Sequence, residues 1–117
     1  RGEEIRLLTS DHSLVNELVK SGGITPEEAE NHPQKNVLTR AIGTSPAVDV
    51  DIDIEPVQTG DIVILCTDGL SNLVNLEELK QLAGTEIPLP EMAKNLTELA
   101  LDRGGGDNIT VVLFQLE

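Results

Sequence analysis

Two short stretches of this chain place an aspartate and a glycine beside strand-like runs of aliphatic residues. They are CTDGL, residues 66–70, and RGGGDNIT, residues 103–110. Asp68 follows one aliphatic run, and Asp107 precedes another. Two unpaired carboxylates that are held close together repel, so they share either a proton or a cation. Such hard oxygen ligands favour Mg²⁺, Mn²⁺ or Ca²⁺, and a pair of these ions can bind both a phosphate and an activated water.

The segments around these aspartates predict how they are positioned. DIVILCTDG and NITVVLFQL have apolar residues on both faces, which predicts two strands that are each covered on both sides. Two helical patterns, NLEELKQLAG and PEMAKNLTELALDRG, lie between them. If the strands are antiparallel, two intervening helices return the chain to the end of the sheet that it left, so Asp68 and Asp107 converge. The glycine run suits a positive φ or a close approach to a ligand, and a positive φ is expected at Gly106.

Other patterns predict further elements. EEIRLLT (3–9) predicts a short strand. VDVDIDIEPV (48–57) alternates aliphatic with acidic residues, which predicts a strand with one buried and one solvated face. A helix is predicted over 13–23, followed by a helical turn that Thr25 caps. Asn75 is the predicted cap of the helix that follows the TDG stretch.

Bulk composition narrows the classes of function. The 117 residues suit one small domain. The formal charge of -13 argues against a nucleic-acid partner and against docking on an anionic membrane. No apolar run approaches the ~20 residues of a membrane span. The single cysteine, Cys66, is predicted to be a buried core residue, and this sparse cysteine usage fits a cytoplasmic location.

Simpler interpretations exist for each candidate residue. Asp-Gly and Gly-Asp-Asn are common at strand ends, so Asp68 and Asp107 could be turn formers only. The acidic residues of 49–55 could bind Ca²⁺, but they lack the glycine turn and terminal Glu of an EF-hand loop, which favours a solvated face. Arg40 could bind phosphate or could form an ordinary surface ion pair.

Three blocks in series carry a resemblance to a known family. They are LTSDHSLVNELVKSGGITPEEAENHPQKNVLTRAIG, GDIVILCTDGLSNLV and RGGGDNITVVL. In this order and spacing they resemble the metal-dependent protein phosphatases of type 2C, the PPM family, and most closely its bacterial serine/threonine enzymes. The resemblance covers residues 1–117, which correspond to the C-terminal half of the catalytic domain.

The resemblance implies a fold, a reaction and a metal site. The fold is α+β, a four-layer αββα sandwich of antiparallel sheets with flanking helices, of which this chain supplies about half. The reaction is hydrolysis of phosphoserine and phosphothreonine in protein substrates by a metal-activated water, with two or more Mn²⁺ or Mg²⁺ ions. Asp68 and Asp107 match metal ligands of the family. Gly69, Gly106 and Asn108 match neighbouring motif positions, as candidate metal-site or backbone support.

The resemblance also extends to a substrate-binding segment. Residues 13–46 resemble the flap beside the active site, in which Arg40 is a candidate substrate-binding residue.

The comparison with the family also indicates what the chain lacks. The DGMGG block, whose aspartate bridges the two metals in the family, does not occur. The chain alone is therefore expected to be inactive and to need the missing N-terminal half as a partner. The alternatives are a non-catalytic module that binds a partner or itself, and an acidic domain that binds cations through 49–55.

Overall fold

The structure is a computed structural model that describes every residue from Arg1 to Glu117. The chain forms two compact units, residues 1–6 with 55–117 and residues 7–54. None of the helices has the length and apolar character that a bilayer crossing requires. The elements in chain order are α1 (Leu14–Lys20), α2 (Pro26–Glu30), β1 (Ile62–Cys66), α3 (Asp68–Ser71), α4 (Leu76–Ala83), α5 (Leu89–Asp102) and β2 (Val111–Gln115).

Local capping signals define the helices of the unit formed by residues 7–54. The hydroxyl of Ser13 accepts a hydrogen bond from the Asn16 N–H at 3.2 Å, which starts α1. After α1 the chain turns at Gly22, whose φ is +80°. The Thr25 hydroxyl accepts the Glu28 N–H at 3.2 Å, which confirms the predicted cap of α2.

A two-stranded antiparallel sheet organises the other unit. β1 pairs with β2 in a register that runs from Ile62 opposite Gln115 to Cys66 opposite Val111. Helices α3 and α5 pack on this sheet, and α4 packs on α5. The prediction of an α+β fold with antiparallel pairing of these two strands is confirmed. The core between the helices and the sheet consists of Leu70, Val74, Leu79, Leu96 and Ala100, with Ile64, Val111 and Leu113 packed against it.

The opposite face of the sheet is open. Leu65 faces Val112 across the strands, and these side chains are 54% and 51% exposed. Phe114, which pairs with Val63, is 43% exposed. The prediction that both strands are covered on both sides is therefore wrong, because within this chain the helices cover only one face. The predicted burial of Cys66 is also wrong: it is the last residue of β1 and is exposed.

The two other predicted strands are absent. Residues 3–9 and 48–57 form no strand, and β1 with β2 is the only ladder of the structure. The alternating aliphatic residues of 48–57 are solvated, with Ile52 at 86% and Ile54 at 94% exposure. A strand needs a neighbour for its backbone groups as well as an apolar surface to cover its inner face. Neither segment has a paired strand in this chain, although Ile5 of the first packs against the core, so an apolar pattern alone is not sufficient.

An ion pair fastens the start of the chain to the turn before β1. Arg1 donates from Nε to Oδ1 of Asp61 at 2.8 Å and from Nη2 to Oδ2 at 2.7 Å. The Gln58 N–H also donates to Oδ2, at 2.8 Å. Gly60, with φ +92°, allows the tight turn. The Arg1 guanidinium, with help from the Gln58 N–H, holds the pKa of Asp61 well below its usual value.

Asp61→Asn should therefore destabilise the fold in a pH-dependent way. A carboxyl whose folded-state pKa is depressed stabilises the fold at pH values above its unfolded pKa of about 3.9, and this contribution disappears as the pH falls towards the folded value. The urea midpoint of Asp61→Asn should lie below that of the original chain by a constant amount between pH 5 and 7. The two midpoints should approach each other below pH 4. The matched control is Asp53→Asn, at an exposed aspartate, and a pH-independent difference for Asp61→Asn would contradict this account.

Candidate metal centre

Asp68 and Asp107 lie on the two segments that leave and enter the sheet. Asp68 is the first residue of the short helix α3, which the sequence patterns did not predict. Asp107 lies in the loop between α5 and β2. Both residues are exposed. The carboxylate of Asp107 accepts the Asn108 N–H at its Oδ1, at 2.7 Å, which orients the group and leaves Oδ2 open.

The antiparallel pairing brings these two segments together. Beyond the last ladder pair, the Thr67 N–H donates to the Thr110 carbonyl at 3.0 Å. The Thr67 hydroxyl donates to the Asn108 carbonyl at 3.2 Å. The residue before Asp68 therefore contacts the residue after Asp107. The two aspartate-bearing segments thus meet at the same end of the sheet, as expected on the condition that the strands are antiparallel.

Glycine is required at Gly69 by a close backbone approach. A Cβ atom placed there would lie 2.0 Å from the carbonyl oxygen of Asn108 and 2.9 Å from its carbonyl carbon. The positive φ values of the glycine run occur at Gly104, +120°, and Gly105, +51°. The positive φ expected at Gly106 is not found, and a Cβ atom there would have open space. The run therefore shapes the end of α5, whereas the contact beside the aspartates falls on Gly69.

The donor chemistry of the two aspartates fits a hard divalent cation, but the set is incomplete. Neither carboxylate takes part in any of the ion pairs of the structure. No group of three or more His, Cys, Asp or Glu side chains is placed to hold a metal. Mg²⁺ is bound through one or two carboxylates, with waters and substrate phosphates in its remaining positions. Asp68 and Asp107 thus supply part of a metal site.

Arg40 belongs to the unit formed by residues 7–54 and is engaged in an ion pair. Its Nη1 lies 3.0 Å from Oδ1 of Asp51 and 3.4 Å from the Asp49 carbonyl. Nε2 of His12 lies 2.7 Å from Oδ2 of the same carboxylate. The hydrogen bond with His12 contributes most to lowering the pKa of Asp51, and the hydrogen bond with Arg40 lowers it further. A cavity of about 180 Å³ lies beside Arg40 and is lined by Thr39, Arg40, Ala41, Thr44, Ser45, Ala47, Val48 and Asp49.

The acidic segment 49–55 is partly neutralised by cations of the same chain. Asp51 is paired with Arg40, and Glu55 is paired with Arg6 at 2.7 Å. The segment presents no cluster of three metal-binding side chains. These pairings disfavour the segment as a cation site.

The known proteins that this chain resembles are bacterial protein phosphatases. No protein-family model matches it. It is 46% identical over 116 residues to protein phosphatase PhpP of Streptococcus pneumoniae, covering 99% of this chain and 47% of that relative. It superimposes with a TM-score of 0.94 on the serine/threonine phosphatase of S. agalactiae, at 44% identity, covering 100% of this chain and 48% of that one.

A further solved structure bears on the metal. The catalytic domain of the serine/threonine protein phosphatase PstP, described in complex with two manganese ions, matches with a TM-score of 0.79 and 36% identity. This chain is covered completely, and 48% of the PstP chain is covered. The chain spans about half the length of the relatives it matches. In sequence and fold, the chain corresponds to the C-terminal half of the PPM-type serine/threonine phosphatases of bacteria.

Proposed function

We propose that this chain is the C-terminal half of a metal-dependent protein phosphatase that hydrolyses phosphoserine and phosphothreonine in proteins. The observation that carries this proposal is the convergence of the TDG and GGDN segments at one end of an antiparallel pair. Asp68 and Asp107 would hold Mn²⁺ or Mg²⁺ there. When bound, such ions supply an activated water and neutralise phosphate charge. The two manganese ions named for PstP support this choice of metal.

The residues beside the aspartates have distinct supporting roles in this proposal. The Asn108 N–H orients the Asp107 carboxylate so that Oδ2 points away from the bond at Oδ1 and can face a cation. Gly69 lets α3 approach the Asn108 carbonyl, which keeps Asp68 next to the loop of Asp107. The close backbone approach between α3 and the loop of Asp107 therefore requires glycine at position 69.

The open sheet face is the proposed contact with the N-terminal half. Its side chains at Leu65, Val112 and Phe114 form an apolar surface on a chain whose relatives are about twice as long. A sheet face of this kind gains stability when a second layer covers it. If the chain is instead a self-associating module, a second copy of it would cover the same face.

The unit formed by residues 7–54 contains the flap-like segment 13–46. We propose that Arg40, at the polar cavity, contacts the phosphorylated substrate protein. Its ion pair with Asp51 would hold the guanidinium in place until a phosphate competes for it. The cytoplasmic location expected from the sequence stays a prediction.

Val112→Asp should strongly weaken assembly with the N-terminal half. The side chain is half exposed, so the substitution leaves the fold of the isolated chain largely intact while placing a charge in the proposed apolar contact. The affinity for the N-terminal half, measured by calorimetry, should fall by at least about 100-fold. Leu76→Asp is the matched control, since Leu76 is also exposed, at 47%, but begins α4, where an acidic residue is favourable. Equal affinities for both variants would contradict docking on this face.

The proposed activity is tested by reconstitution. The chain is mixed with, or fused to, the N-terminal half of the S. pneumoniae relative, here called the completed enzyme, and Mn²⁺-dependent hydrolysis of a phosphothreonine peptide is measured. Activity is expected in the completed enzyme and in neither half alone. The two halves of the relative, mixed in the same way, are the positive control. Inactivity of both the mixture and the fusion, where that control is active, would contradict the proposal.

A further inference from the structure

Thr67 lies at the N-cap position of α3 but does not cap that helix. Its backbone is extended, with φ -82° and ψ 165°, and its side chain makes no capping hydrogen bond. The hydroxyl is directed instead to the segment that enters β2. It donates to the Asn108 carbonyl at 3.2 Å and accepts the Thr110 N–H at 3.0 Å. A side chain that usually stabilises a helix start is here used across the sheet.

These bonds join the two segments that carry the aspartates. Thr67 precedes Asp68 in the chain, and Asn108 follows Asp107. The strand ladder itself ends at the pair of Cys66 and Val111. Beyond it, three hydrogen bonds connect Thr67 to the opposite segment, and the hydroxyl makes two of them. The hydroxyl therefore contributes most of the polar connection between the two aspartate-bearing segments.

The same carbonyl also meets Gly69, so its position is fixed tightly. Thr67 holds the Asn108 carbonyl by its hydroxyl, and the backbone of Gly69 is pressed against it. Thr67 and Gly69, which lie on either side of Asp68, thus both contact the carbonyl of Asn108, the residue next to Asp107. Loss of the hydroxyl would remove the hydrogen bond to this carbonyl and let the Asp107 loop shift relative to α3.

We propose that Thr67 is a positioning residue whose hydroxyl sets the separation of Asp68 and Asp107. This inference rests on the proposed metal-binding role of those two aspartates. Groups that orient metal ligands without binding the metal change metal affinity by about 10–100-fold when they are removed. The effect of Thr67 should therefore appear in metal binding and in local opening of the loop, separately from global stability.

The test uses Mn²⁺ alone as the probe and the 117-residue chain. Binding is followed by paramagnetic broadening of the amide signals of Gly69 and Asn108, which also detects weak affinity. Thr67→Val keeps the branched shape but removes the hydroxyl. It should raise the dissociation constant for Mn²⁺ about tenfold and speed hydrogen exchange at the Thr110 amide. Thr67→Ser, which keeps the hydroxyl, should restore both values.

Controls separate this inference from the function on which it rests. Thr110→Val makes the same change on the facing residue, whose side chain makes none of these bonds, and should leave Mn²⁺ binding unchanged. Unchanged binding in Thr67→Val, with binding lost in Asp68→Asn and Asp107→Asn, would overturn the positioning role alone. Broadening that persists in both aspartate variants would reject the metal site and the positioning role with it. Equal losses of affinity and of urea midpoint in Thr67→Val and Thr67→Ser would assign Thr67 to packing and also overturn the inference.

Discussion

Asp68→Asn and Asp107→Asn should each lower kcat/KM of the completed enzyme by at least about 100-fold. Removal of a metal-ligand carboxylate weakens a charge stabilisation worth several kcal/mol in the transition state, and each 1.36 kcal/mol corresponds to about a tenfold change in rate. The fold should survive, because both side chains are exposed and lie outside the core. The measurement is hydrolysis of a phosphothreonine peptide at saturating Mn²⁺, with the urea midpoint recorded in parallel.

A matched control distinguishes metal binding from a general loss of negative charge. Asp102→Asn changes an exposed aspartate at the end of α5, near the glycine run but outside the proposed site. Its kcat/KM should stay within about twofold of the original value, since isolated surface charges contribute little. Full activity of the Asp68 and Asp107 variants would show that both residues are turn formers, as the simplest interpretation of the sequence had it.

Gly69→Ala should destabilise the chain by about 3 kcal/mol and abolish activity of the completed enzyme. In an ordinary helical position, replacement of glycine by alanine is favourable by about 0.5–1 kcal/mol. Here the added methyl would lie 2.0 Å from the carbonyl oxygen of Asn108 and 2.9 Å from its carbonyl carbon. Both are backbone atoms, so no side-chain rotation relieves the clash. The first turn of α3 must then move away from the Asn108 segment that precedes β2, at a cost typical of severe overpacking. Urea denaturation gives the stability change.

Gly106→Ala is the corresponding control for the glycine-rich segment. A Cβ atom at Gly106 meets nothing within 4 Å, and its φ is not positive. The urea midpoint of this variant should equal or slightly exceed that of the original chain. A large loss for Gly106→Ala, together with a neutral Gly69→Ala, would invert the roles that the structure assigns to the two glycines.

The elements whose causes are local were predictable from the sequence. Thr25 and Asn75 were expected to cap helices, and both side chains accept the N–H group three residues later. At Asn75 the backbone N–H donates in return to the Glu78 carboxylate at 3.3 Å, which completes a capping box. The antiparallel pairing of β1 with β2 agrees with the family resemblance, which implies antiparallel sheets, whereas the residues alone left the strand direction open.

Features that depend on contacts from elsewhere were not predictable. The alternating pattern of 48–57 specifies which face would be buried, but no other strand of this chain covers or pairs with it. Leu65 and Val112 have the apolar character of buried strand residues, yet they are exposed where a second layer is lacking. The assignment of the two aspartates came from the family's motifs, whereas the cross-strand use of the Thr67 hydroxyl required coordinates.

The central claim is that Asp68 and Asp107 act in one shared metal centre, and a double-mutant cycle tests it most directly. The measurement is Mn²⁺-dependent kcat/KM of the completed enzyme with Asp68→Asn, Asp107→Asn and both. Residues that act as a unit are non-additive, so the double variant should lose about as much activity as the more damaged single variant. Losses that multiply, so that the double variant falls by the product of the two single effects, would show that the aspartates act independently and would contradict a shared centre.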